Sequence, residues 1–406
     1  MERQQPTLGG DLLAVIAKAG PISRAALLDA SGLSRATVTQ RLNALISMGL
    51  LVEADETRRS GGRPSRLVCL NADAASLLAA NIGESHIRLS VMSLQLAVLA
   101  QVTIAFDIED GPSGTLDAVS AAFAGLMKQV GRSDSHVAGI GLSLPTPVDF
   151  RRGRVVGPSV LHGWDEFDIV SYLARSWDAP VWVENDVNLM ALFEYTQSFQ
   201  DTSDMFFIKA GTGIGSGIVS GGRIFRGAQG AAGDIGHIQI TSKEEAPLCR
   251  CGKFGCIEAR AAGWAIARDL AEFGHPAQTA RDVVALVEAG VPEAIMLLRS
   301  SGRTIGEVVA DVVSILNPAR IVVGGTLARC GEHLLSGIRE LVYQRCLPLA
   351  TRELEIIQAT TSTDSALVGA AMLVRDQIFS PKYVDRFIRR FLDRPEFATD
   401  RGSLEG

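Results

Sequence analysis

Cys249, Cys251 and Cys256 fall within eight residues, with Gly252 and Gly255 between them, and His237 stands twelve positions upstream of the first. Three thiols and one imidazole at this spacing are the ligand set of a closed, tetrahedral structural zinc site. The intervening glycines let the loop fold back on itself, as metal knuckles do. Six cysteines in 406 residues do not make a disulfide scaffold, and half of them sit in this one loop. A closed site keeps no open position for substrate. The zinc is therefore expected to act as a staple, fixing the loop that presents Glu258 and the helix that follows it.

Upstream, Gly211, Gly213, Gly215 and Gly217 alternate with other residues in a β-branched stretch that continues to Gly221 and Gly222. Glycine at every second position lets one backbone face approach a ligand and offer N–H groups to anions or hydroxyls. A plain glycine hairpin is the alternative. The run is neither a Walker loop, which needs Gly-Lys-Ser/Thr opening a helix, nor a GxGxxG turn. Val183-Glu184-Asn185-Asp186 places polar groups where a strand gives way to a helix. Asp186 there can accept a hydrogen bond from a ligand hydroxyl, serve as a general base, or simply cap the helix. Apolar strand-like runs at 87–94, 137–144, 181–183, 205–209, 214–219 and 320–323 alternate with helical stretches at 115–130, 166–177, 187–198, 258–273 and 303–316. That alternation predicts an α/β fold.

The first 72 residues read differently. They carry nine Lys and Arg against six Asp and Glu, whereas the remainder has 30 against 39. A basic head on an acidic body is the pattern of a nucleic-acid-binding module joined to something else. Leu12, Leu13, Ile16 and Ala17 recur at helical spacing, Ser23 can cap a second helix, and Ser34 a third running to Met48. In the third, Val38, Leu42 and Leu45 form one buried stripe. Ser34, Arg35, Thr37, Thr39, Gln40 and Asn43 supply groups suited to phosphates and base edges. Leu50-Leu51-Val52 and 66–70 can pair as a wing, which predicts a winged helix-turn-helix with the 34–48 helix reading the major groove. Arg58, Arg59, Arg63 and Arg66, spaced by Gly and Pro, make an extended basic strip for the minor groove and its phosphates. Arg63 and Arg66 are the strip's DNA-contact candidates. A three-helix protein-interaction module is the alternative for this head.

The body resembles the ROK family (repressors, open reading frames and sugar kinases) over roughly 76–376, on the segment running from Gly211 to His237 and on Cys249–Glu258, with support from 183–188 and 317–328. The head and its Gly61-Gly62-Arg63-Pro64 linker resemble those of the family's repressor branch. The resemblance implies a two-lobed actin-like, sugar-kinase-type domain behind the winged helix-turn-helix. It divides the chain into a head at 8–72, lobes at 73–197 and 198–376, and a charged tail with one possible short helix at 377–406. It implies sugar contacts at Asn185, Asp186, Asp234, His237 and Glu258, Asp186 matching the kinases' catalytic base, and zinc on His237, Cys249, Cys251 and Cys256. Asp234 stands where the family usually has Glu, and Pro145-Thr146-Pro147 where many members carry Pro-Gly, so the sugar need not be glucose. Family kinases open the body with Asp-x-Gly-Gly-Thr-Lys; this chain has Asn81-Ile82-Gly83-Glu84-Ser85-His86. Asn81 cannot give magnesium an anionic ligand. Glu84 would face a polyphosphate, with like charges 4 Å apart repelling by about 4 kcal/mol at an effective dielectric near 20.

These features predict a sugar-responsive DNA-binding regulator, a repressor of carbohydrate metabolism by its family branch, with Asp186 a vestigial base and kinase activity lost. The alternatives are a sugar kinase with an accessory DNA-binding head and a DNA-bound scaffold that answers to another protein. Expected partners are operator DNA, a sugar or phosphosugar effector, and a second copy in a homodimer or dimer of dimers. Hydrophobic residues at 47% and charged ones at 21% exclude wholesale disorder. No apolar run reaches the roughly 18–20 residues of a membrane span. The start lacks a basic stretch followed by an apolar one. A cytoplasmic location without membrane contact is expected.

Overall fold

The computed structural model describes residues 9–54, 66–83, 86–105, 110–157, 161–240, 246–360 and 364–394. The head comprises α1 (Gly10–Ala19), β1 (Ile22–Ser23), α2 (Arg24–Ser31), α3 (Arg35–Ser47), β2 (Leu51–Ala54) and β3 (Leu67–Leu70). Both expected caps form. Ser23 Oγ accepts from Ala26 N at 3.2 Å, and Ser34 Oγ from Thr37 N at 3.2 Å. Val38, Leu42 and Leu45 bury on one face of α3, in a head whose core also takes Leu12, Leu13, Ile16 and Leu27. Arg41 pairs with Asp11, tying α3 to α1. β2 and β3 pair antiparallel, Leu51 opposite Leu70, as the wing requires. β1 adds a third strand through Ile22 and Val68.

From Ser76 the chain runs β4 (Ser76–Ile82), β5 (His86–Ser93), β6 (Val98–Ala105), α4 (Gly111–Gln129), β7 (Val137–Leu144), β8 (Val148–Asp149), β9 (Arg154–Val155), α5 (Ile169–Leu173) and β10 (Val181–Asn185). It continues with α6 (Asp186–Ser198), β11 (Met205–Ala210), β12 (Ile214–Ser220), β13 (Arg223–Ile224), α7 (Glu258–Ala261), α8 (Gly263–Glu272) and α9 (Ala280–Glu288). Then come α10 (Pro292–Leu316), β14 (Arg320–Gly324), α11 (Glu332–Arg345), α12 (Pro348–Thr351), β15 (Glu355–Gln358), α13 (Ser365–Ile378) and α14 (Val384–Leu392). Two compact units emerge. One holds 1–144, 161–183 and 370–406; the other holds 145–160 and 184–369.

Each unit is built on a five-stranded sheet, in the orders β10-β7-β4-β5-β6 and β13-β12-β11-β14-β15. The second repeats the plan of the first. Three strands form an antiparallel meander whose first member takes a parallel neighbour after a helical crossover. β7 is buried along its whole length, as expected of a sheet interior.

The expected strands at 87–94, 137–144, 205–209, 214–219 and 320–323 all form. The expected helix at 303–316 is longer than its sequence pattern suggested, because Ser300-Ser301-Gly302 reads as a break and is instead mid-helix. Gly302 lies where α10 crosses α11, and a Cβ there would meet Leu334 O at 2.3 Å. That neighbour is backbone and cannot swing away. Gly302→Ala is therefore expected to destabilise the second unit by about 1–3 kcal/mol, read as a fall in denaturation midpoint with an unchanged slope.

Candidate functional site

The candidate site lies in the second unit, around the hairpin β11–β12. At its centre is the junction of β10 and α6. Asn185, not Asp186, caps this helix: its Oδ1 accepts from Val187 N at 3.0 Å and Asn188 N at 3.3 Å, while Nδ2 donates to Thr146 O at 3.1 Å. Asp186 is thereby released from capping. Its carboxylate is buried and receives Lys209 Nζ on Oδ2 at 2.5 Å. Beside it, buried Glu184 accepts from Arg226 Nε at 2.5 Å and from Asn188 Nδ2 at 2.9 Å. Sequence reasoning missed Lys209. Its partner is 23 residues away, and a lone lysine within an apolar strand carries no pairing signal.

Lys209 faces Gly215 across the hairpin, and Ala210 faces Ile214. Ile214 N donates to Glu258 Oε2 at 3.1 Å, and Glu258 N donates to Gly236 O at 3.0 Å. Ser216 Oγ donates to Gly233 O at 2.6 Å, which fixes the turn that carries Asp234. The same hairpin therefore meets Asp186 through Lys209, Glu258 through Ile214, and the turn before Asp234 through Ser216. Its glycines have assorted duties. A Cβ on Gly213 would meet Glu258 Oε2 at 2.6 Å, whereas Gly215 and Gly217 are pressed by Val187 and Ala191 of α6. Two of the four expected to face a ligand thus serve close strand–helix packing instead.

The metal candidates converge. The ligand atoms of His237, Cys249, Cys251 and Cys256 all lie within 4.8 Å of one another. Cys251 Sγ and Cys256 Sγ are 3.7 Å apart, as are Cys249 Sγ and His237 Nδ1. Two thiolates at about 2.3 Å from one tetrahedral zinc lie about 3.8 Å apart, while a disulfide would need about 2.05 Å. The spacing fits a metal and excludes a bridge. Burial first, and neighbouring thiols second, push the Cys249 thiol up to about 12 and raise that of Cys256. Those are the penalties that a bound cation would offset. With Nδ1 toward the thiols, Nε2 of His237 is left to face elsewhere.

In the head, Arg35, Thr39, Gln40 and Asn43 are exposed along α3, while the hydroxyls of Ser34 and Thr37 share a 2.8 Å contact within the cap. Arg66 is exposed and joins Arg24 on Glu53, whose carboxyl these two hold below its ordinary range, Arg24 foremost. Arg58, Arg59 and Arg63 lie outside the described residues, as do Glu84 and Ser85 of the degenerate turn. Asn81, which is described, accepts from Ser143 Oγ at 2.8 Å. Among the described residues no helix is long and apolar enough to cross a membrane.

Comparison with known proteins places these features. The ROK family model matches residues 77–377, and a winged helix-turn-helix DNA-binding model matches 9–52. A glucokinase of Halalkalibacterium halodurans is 30% identical over 312 residues, 73% of this chain and 94% of the relative. The N-acetylglucosamine repressor of Escherichia coli O157:H7 is 28% identical over 369 residues, 88% of this chain and 89% of the relative. A solved ROK family transcriptional regulator, described as a homologue of the E. coli MLC protein, superposes with a TM-score of 0.79 at 24% identity. It spans 95% of this chain and 98% of that one.

Proposed function

This chain belongs to the ROK family, and on that premise we propose that it is a sugar-responsive DNA-binding transcriptional regulator, of the repressor type, that no longer phosphorylates sugar. The single observation that carries the reading is the extent of the likeness. The repressor relative covers 88% of this chain, against 73% for the glucokinase, and residues 9–52 match a winged helix-turn-helix model besides.

Two features of the residues support loss of kinase chemistry. Asn81 stands where the family's kinases present an aspartate to magnesium, and its amide oxygen is engaged by Ser143. Lys209 occupies Oδ2 of Asp186, one of the two oxygens that would take the sugar hydroxyl's proton. Phosphoryl transfer rests on positioning and charge neutralisation, and both are compromised here. In our reading Asp186, Asp234, His237 through Nε2, and Glu258 receive sugar hydroxyls, while Asn185 keeps one amide hydrogen for the ligand and positions Asp186. His237 Nδ1 with Cys249, Cys251 and Cys256 would hold a structural zinc, which would lend this wall rigidity. A thermal-shift screen of monosaccharides and phosphosugars, with ATP and magnesium in a parallel arm, tests the reading. Stabilisation by a sugar without formation of phosphorylated product supports it; product at ordinary turnover overturns it.

At the DNA, one reading helix contacts too few base pairs for useful specificity, so binding as a homodimer is part of the proposal. Arg35→Ala and Gln40→Ala are each expected to cost about 1–3 kcal/mol on the preferred site and to relax base preference at one position. Arg63→Ala should weaken all sequences alike and reduce the salt slope by about one. Competition binding on a randomised duplex pool, at two salt concentrations, separates the two classes.

A further inference from the structure

The last described helix, α14, is more than a charged tail. Val384, Phe387, Ile388 and Phe391 recur at helical spacing and are buried. At Gly10 of α1, a Cβ would lie 2.4 Å from Val384 Cγ1, so the head's first helix rests directly on α14. Tyr383 meets Trp182 edge to face at 5.5 Å. The same helix carries Arg386 and Arg390, with Arg394 just beyond its end. Residues four apart stack along one side of a helix. All three arginines line one pocket of the first unit, with Val137, Ile378 and Phe387 among its apolar walls. The cavity they line is small, about 30 Å³, and open to solvent.

No acidic residue is among the described residues that line this pocket. Arg394 is 5% exposed, donates from Nη1 to Ala74 O at 2.5 Å and lies 4.6 Å over the Phe391 ring. Arg390 is half-buried, and burial holds its guanidinium below its ordinary range. Arg386 pushes the same way, while Asp178, 3.4 Å away on a fully exposed side chain, opposes. Arginine stems often lie along apolar surface with the head in water. That accounts for an exposed Arg386, and Ala74 O and the Phe391 ring hold Arg394, but neither explains why Arg390 is drawn into the same apolar pocket. Like charges at this spacing repel, and an exposed partner such as Asp178 offsets little of it.

We propose that this pocket binds a compact organic anion, a phosphate or carboxylate on an apolar body. The guanidiniums of Arg386 and Arg390 grip the anion, and Phe387, Ile378 and Val137 take the body. Planar guanidinium forks match both oxyanions, and an apolar wall with a few convergent polar groups is the usual make-up of a small-molecule site. The helix that carries these arginines meets the start of the head through Val384 on Gly10, and Arg394 just beyond it holds Ala74 O, just past the head's end. The ligand would act from a site separate from the sugar residues of the second unit.

The test uses full-length, zinc-loaded protein and calorimetric titration with four probes: phenyl phosphate, benzoate, inorganic phosphate and benzyl alcohol. Saturable binding of phenyl phosphate or benzoate is expected at sub-millimolar concentration, the stronger of the two identifying the anion class. Inorganic phosphate and benzyl alcohol should bind at least about tenfold more weakly. Arg386→Gln with Arg390→Gln should lower affinity about tenfold or more without changing zinc content, Asp178→Asn should raise it, and Asp186→Ala should leave it unaltered. Three results would each overturn the proposal: no binding of either aryl anion to the wild type, wild-type affinity in the double variant, or loss of binding in Asp186→Ala.

Discussion

Cys256→Ser is expected to empty the zinc site and release the wall that holds Glu258, with about one zinc per chain in the parent falling to near zero in the variant. Cys256 is fully buried, and its thiol is 3.7 Å from Cys251 Sγ. Backbone contacts stitch the segment it closes: Gln239 bridges to Cys256, Leu248 to Phe254, and Ile257 N donates to Ile238 O at 3.1 Å. Zinc-finger peptides gain on the order of 10–16 kcal/mol from such a metal. Loss of one ligand in four forfeits a large share, and the effect should exceed that of any single side chain elsewhere in the unit. Proton competition gives the pH dependence its sign. With the metal gone, Cys249 titrates near 12 and Cys256 is also raised, so both are protonated at neutral pH and zinc must displace those protons. Affinity therefore falls as pH falls, and a chelator should strip the site faster at pH 6 than at pH 8. Metal analysis and chelator kinetics on freshly purified protein measure both. Absence of zinc from protein never exposed to chelator contradicts the assignment.

Where the sequence was legible, one residue type had one local duty. Ser23 and Ser34 cap helices because a hydroxyl ahead of an apolar stripe has little else to do, and the three thiols with His237 were recognisable from spacing alone. The illegible parts depend on distant partners. Asn185 takes the cap from Asp186 because its amide can also reach Thr146, 39 residues away. Lys209 finds Asp186 only once β11 lies beside α6. Gly215 and Gly217 look like ligand glycines until Val187 and Ala191 are packed on them. The tail hid its stripe differently. Val384, Phe387, Ile388 and Phe391 stand at helical spacing, and a short helix was legible there, but the arginines between them made the segment read as a charged tail. The matching plan of the two sheets had no trace in the residues, because backbone topology can recur without repeated side chains.

Asp186→Ala is expected to abolish the sugar response while leaving DNA binding intact. A buried carboxylate that accepts a ligand hydroxyl contributes roughly 1.5–3 kcal/mol, which corresponds to a loss of about 10–150-fold in sugar affinity. The head is untouched: its core of Leu12, Leu42 and Leu45 and its caps lie in the first unit. Sugar titrations followed by thermal shift and by fluorescence anisotropy on labelled duplex read the two effects separately. A variant that answered sugar at wild-type concentrations would remove Asp186 from the sensor.

A sugar-responsive regulator requires that sugar and DNA binding be coupled through one conformational equilibrium of the chain. Coupling between two binding sites is reciprocal, so the decisive measurement is the sugar dissociation constant with and without saturating DNA, beside the DNA dissociation constant with and without saturating sugar. The two ratios are expected to be equal and to differ from one by about 5–150-fold. Two ratios of one, in a protein shown to bind both ligands, would contradict that coupling.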